Sequence, residues 1–74
     1  MKKRYAIVIE KAEHNYAAYV PDLPGCISTG PTAEEVEHNI HEAIEGHLQV
    51  MKEIGAPIPE PSTAVAYFDA PVPV

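Results

Sequence analysis

Residues 16–35 read YAAYVPDLPGCISTGPTAEE, and the punctuation inside this stretch decides the fold. Two apolar runs, 16–20 and 26–29, flank a Pro-Asp-Leu-Pro-Gly connector. Pro21 and Pro24 lack amide donors and fix φ, so strand pairing must stop there, while Gly25 permits a turn that other residues resist. The expected arrangement is a strand, a rigid connector, and a short third strand closed by Gly30 and Pro31.

A helix is announced next by its own start and stop signals. Thr32 is a good N-cap, Glu35 stands three residues later to complete a capping box, and Glu34 and Glu35 set negative charge on the positive end of the helix dipole. Val36, Ile40, Ala43, Ile44, Leu48, Met51 and Ile54 then recur at three- and four-residue spacing as one apolar stripe. Gly55 occupies the place of a C′ residue and Pro57 lies two beyond it, which predicts a helix over residues 33–54.

Upstream, the row RYAIVIE over residues 4–10 is β-branched and aromatic and too short for a globular helix, so it reads as the first strand. Tyr5, Ile7 and Ile9 alternate with Ala6 and Val8, apolar on both faces, which predicts a central strand covered on both sides. Residues 11–15 are polar and read as a hairpin loop. Downstream, Pro57, Pro59 and Pro61 make a stiff extended connector, residues 64–69 read as a fourth strand, and residues 70–74 as a flexible tail. The expected class is α+β, with order β-β-β-α-β and one long helix on one face of a single sheet. Nothing in the chain is left to cover the other face, so a second copy is the expected cover.

The totals agree with self-association. A chain of 74 residues with a single cysteine is one domain, residues 1–74, near the size at which one core barely suffices, and it can form no intrachain disulfide. The net charge is −6, from five Lys and Arg against eleven Asp and Glu. Such a body is a poor match for phosphate backbones, so direct nucleic-acid binding is not expected and a basic protein partner is. No apolar run approaches the roughly 20 residues that span a bilayer. The opening Met-Lys-Lys-Arg imitates a signal-peptide start, but Glu10 and Lys11 interrupt the apolar run after it and no small-residue cleavage site appears, so a cytoplasmic protein is expected.

In the opening strand YAIVIE, the Tyr-Val-Pro-Asp-Leu-Pro-Gly-Cys connector, the Gly-Pro-Thr-Ala-Glu-Glu helix entry and the Ile58-Pro-Glu-Pro exit, the chain resembles the HicB-like antitoxins. The resemblance covers about residues 4–62 and, more loosely, the last strand. It implies a small domain with a partial ribonuclease H-like fold and a non-enzymatic role: binding a small basic ribonuclease toxin of the HicA type and covering its RNA-cleaving surface. Family members typically add a C-terminal DNA-binding segment. This sequence departs from that pattern after Val74, so an orphan oligomeric binding module stands as the alternative.

Individual residues divide between sharp and plain roles. A metal-dependent nuclease would need clustered carboxylates, yet only Glu10 and Asp69, at strand ends, are available, so no catalytic residue, metal site or cofactor is expected. Cys26 reads as a small buried hydrophobe, since no base stands near it in the pattern. His38 and His41, at i and i+3, could share a metal with a carboxylate but suit a solvated polar face. His14 reads as an exposed loop residue. His47 points into the helix stripe and, with Tyr67, is a candidate oligomer contact. Tyr19, Pro21, Asp22, Leu23, Pro24 and Gly25 are the candidate partner-binding residues, because a loop held in one shape loses less entropy on forming an interface. Asp22 has a plainer reading as a turn-former bonding a nearby amide.

Overall fold

A computed structural model describes residues 2–73. Three antiparallel strands, β1 (Val8–Lys11), β2 (Tyr16–Tyr19) and β3 (Ile27–Gly30), precede one long helix, α1 (Ala33–Glu53). Sheet order is β1-β2-β3, with Val8 opposite Tyr19 and Tyr19 opposite Ile27. The α+β class and the single helix on one face are as the sequence implies.

The connector is two interlocked β-turns. Leu23 N–H donates to the Val20 carbonyl (3.1 Å), and Cys26 N–H to the Leu23 carbonyl (3.0 Å). Each proline therefore occupies the second position of a turn, where its fixed φ is already correct, and Gly25 at φ +82° supplies the third position of a type II turn. The consequence is packing: Leu23, at the junction of the turns, is driven into the core with no exposed surface.

That core is small. Ala18, Val20, Leu23, Cys26, Val36 and Ile40 are its buried members, and Tyr5, Ile7, Tyr16, Ala43, Ile44 and Leu48 pack around them. Burying an aliphatic side chain the size of leucine or isoleucine contributes about 1.5–3 kcal/mol. Close approach at one point depends on Gly30, because a Cβ there would lie 2.8 Å from the Val36 amide nitrogen at the start of α1.

Both ends of α1 are sealed locally. Thr32 Oγ1 accepts from Glu35 N–H (3.1 Å), although the reciprocal bond from Thr32 N–H to the Glu35 carboxylate that would complete the capping box is absent among the described residues. At the other end Gly55, at φ +73°, lets Ala56 N–H reach the Met51 carbonyl (2.9 Å) and Gly55 N–H the Lys52 carbonyl (3.2 Å), a Schellman motif. The helix ends at Glu53, with Ile54 as its cap.

Three expectations are corrected. The first strand starts at Val8 rather than at residue 4, because β2 stops at Tyr19 and the proline connector offers residues 4–7 no pairing partner. β2, not β1, is central, so β1 is an edge strand and carries the charges Glu10 and Lys11 that suit an edge. Residues 64–69 form no strand: Thr63, Ala64 and Val65 face residues 4–7 across a cleft of about 510 Å³ instead of closing a ladder. From residue 64 to 73 the chain is an extended, exposed arm, and the molecule is accordingly 54 Å long but only 26 × 19 Å across. Val74, the last residue of the expected tail, lies outside the described residues, as does Met1.

Candidate functional site

The chemistry of this molecule gathers where the connector meets the chain leaving α1. Asp22, partly exposed in its turn, accepts four hydrogen bonds from residues some forty positions away. Its Oδ2 accepts from the backbone N–H groups of Ser62 and Thr63, both at 3.0 Å, and its Oδ1 from their hydroxyls at 3.0 and 2.9 Å. The Thr63 and Ser62 amides, in that order, hold the carboxylate charged and lower its pKa to about 2. Asp22 therefore acts as a latch on the root of the arm. The sequence suggests an acid bonding a nearby amide; the amides are distant in sequence, and the only visible signal is the Ser-Thr pair after the proline run.

Two further ties guide the same segment. The Tyr5 hydroxyl donates to the Pro59 carbonyl (2.6 Å), and Lys3 pairs with Glu60. Beyond Thr63 no hydrogen bond holds the arm among the described residues.

The predicted partner-binding residues fall into two groups. Pro21, Pro24 and Gly25 are exposed and Tyr19 is 39% exposed, all at one end of the sheet. Leu23 is buried, so its contribution is to fix the loop from beneath. Tyr19 also belongs to a row that sequence reasoning misses. Ala18 and its cross-strand partners face α1, so Val8, Tyr19 and Ile27, aligned across the three strands, lie on the open face. Ile27 is 70% exposed there. Only the register reveals this row.

On the helix side, a groove of about 550 Å³ with no Asp, Glu, Lys or Arg in its lining opens between the start of β3 and the last three turns of α1. Half-buried His47 lines it, with Cys26, Ala43, Val50, Met51 and Ile54. Cys26 itself is 3% exposed, and burial pushes its thiol pKa up, the opposite of what a nucleophile requires. Tyr67, the other predicted oligomer residue, stands on the arm and is 92% exposed.

The remaining candidates are dispersed. His38 Nε2 contacts Glu42 at 2.7 Å on the solvent side of α1. Among the described residues no three His, Cys, Asp or Glu side chains converge as metal ligands. Glu10 is exposed on β1 and Asp69 on the arm. The solvent face of α1 is acidic, with Glu34, Glu37, Glu42 and Glu45 all exposed. No helix among the described residues is long and apolar enough to cross a membrane.

Comparison with known proteins gives the chain its relatives. It is 39% identical to an uncharacterised 14.9 kDa protein of Haemophilus phage HP1, over 90% of this chain and 50% of that protein. It is 56% identical to a UPF0150 protein of Helicobacter pylori over 55% of this chain and 57% of that one, and 42% identical to one of Archaeoglobus fulgidus over 69% and 75%. The chain thus spans about half the length of the first two curated relatives it matches. No solved structure matches it significantly. Residues 5–72 match the family described as the HicB-like antitoxin of bacterial toxin-antitoxin systems, and it is to this family that the chain belongs.

Proposed function

We propose that this chain is the antitoxin of a toxin-antitoxin pair, a cytoplasmic, non-enzymatic domain that binds a small basic ribonuclease toxin of the HicA type and covers its RNA-cleaving surface. The observation that carries this reading is the family match, which extends over nearly the whole chain. Charge supports it. A net charge of −6, with carboxylates ranged along the exposed face of α1, favours capture of a basic protein and disfavours direct contact with nucleic acid.

The contact surface we assign is the exposed end of the connector, Pro21, Pro24 and Gly25, together with Tyr19, with Leu23 and the Asp22 latch holding it in shape. Preformed turns reduce the ordering cost of association. The chain acts as one domain, and it self-associates, because the row Val8, Tyr19 and Ile27 leaves the second sheet face open.

The test is RNA cleavage by a purified basic HicA-type protein encoded beside this chain's gene, with and without the chain, together with binding isotherms at two salt concentrations. Stoichiometric inhibition, with affinity falling as salt rises, is the expected result. Undiminished cleavage at excess antitoxin would overturn the assignment.

A further inference from the structure

Two incomplete features of this molecule match each other. One is the arm: residues 64–73 are exposed throughout, and Val65, Tyr67, Phe68 and Val72 are 57%, 92%, 87% and 75% accessible. The other is the free edge of β3 beside the apolar groove. Resting on the reading that the chain self-associates, we infer that residues 64–69 of one copy add as a strand to the β3 edge of a second copy, which returns its own arm.

The hydrogen-bonding pattern supplies the template. Val20 N–H donates to the Cys26 carbonyl (3.2 Å), so the alternation of an antiparallel pair turns Ser28 toward β2 and the amides of Ile27 and Thr29 away from it. The Thr29 carbonyl is taken by the Asn39 side chain at 3.0 Å. The Ile27 and Thr29 N–H groups remain as outward donors with no partner among the described residues.

The occupant is suited to that edge. Residues 64–69 lie between Pro61 and Pro71 and contain no proline, so each can donate and accept in a ladder. One alternate set of its side chains enters the groove, and the other continues the open-face row beyond Ile27. β1 offers the other free edge, but there Glu10 and Lys11 are exposed, whereas the groove lining contains no Asp, Glu, Lys or Arg. For two chains of charge −6, it is a place to meet without opposing like charges.

Geometry and area favour exchange between copies. The arm leaves beside residues 4–7, which extend β1, while β3 is the opposite edge of the sheet. Tyr67 and Phe68 each bring roughly 150–250 Å² of buriable surface. One aromatic of each arm enters a groove, so with the facing walls counted the two grooves bury on the order of 600–1,000 Å², and the two added strand edges raise this toward the roughly 1,200–2,000 Å² of a specific interface.

The test combines sedimentation with amide hydrogen exchange on the full chain, for the natural sequence, a Tyr67→Asp, Phe68→Asp variant, and an Ile54→Asp variant of the groove. All three substitutions are at exposed positions, so each variant should fold. The expected result is a concentration-dependent dimer in which the Ile27 and Thr29 amides exchange at least tenfold more slowly than in dilute protein. Both variants should sediment as monomers with those two amides fast. A natural chain that stays monomeric overturns self-association and the exchange together. A dimer whose Ile27 and Thr29 amides remain fast, or which survives the arm substitutions, overturns the exchange and leaves self-association standing.

Discussion

The two halves of α1 carry the same apolar stripe and meet opposite fates. In the first half Val36 and Ile40 are fully buried, whereas toward the far end Leu48 and Met51 are only half-buried and Ile54, at the cap, is 72% exposed. The cause is length. A helix of 21 residues is about 32 Å long, while strands of four residues extend only about 13 Å. The helix therefore overhangs its sheet, and an apolar periodicity that would mean core in a longer domain means available surface here.

Substitution in the two halves should break this comparison if it is wrong. Ile40→Ala, measured by urea unfolding, should cost about 2–5 kcal/mol, because it removes buried methylenes and leaves a cavity. Ile54→Ala should stay within about 0.5 kcal/mol, as surface changes usually do. Equal losses at both positions would mean that the overhang is covered within the monomer.

A smaller effect is expected at the helix start. Thr32→Ala removes the acceptor for Glu35 N–H and should cost about 1 kcal/mol, with Thr32→Ser restoring most of it. Because the cap serves the covered half, the loss should appear equally in dilute and concentrated protein. A concentration-dependent loss would tie the cap to association.

The smallest effect concerns the segment beyond the helix. Asp22 has a pKa lowered from 3.8 to about 2 by its bonds to Thr63 and Ser62, so its contribution is complete above about pH 4 and is lost as pH falls toward 2. Amide exchange at Ser62 and Thr63 should quicken across that window, relative to the intrinsic rate, while the amides of Val36 and Ile40 hold their protection. Asp22→Asn should leave the Ser62 and Thr63 amides fast at neutral pH. Slow exchange in that variant would show that other contacts hold the arm's root.

These contrasts mark how far the sequence can be read. Thr32, Gly55 and the Pro21 and Pro24 turns are legible, since each acts on groups within a few residues. Leu23 groups with the contact residues in the sequence because it lies between exposed prolines, and only the double turn shows that it faces inward. The groove cannot be located from the pattern, although His47 and the stripe beneath it are both visible, because helix periodicity carries no information about where the sheet ends.

The sequence by itself determined the helix, its two ends, the hairpin and the stiffness of the connector, and with them the family. The tertiary structure alone decided that β2 is central, that residues 64–69 remain an unpaired arm, that Val8, Tyr19 and Ile27 align on an open face, and that Asp22 binds Ser62 and Thr63. The physical reason is the range of the forces. Caps and turns satisfy backbone groups inside one short window of chain, whereas a strand acquires its place from whichever edge the rest of the fold leaves within reach.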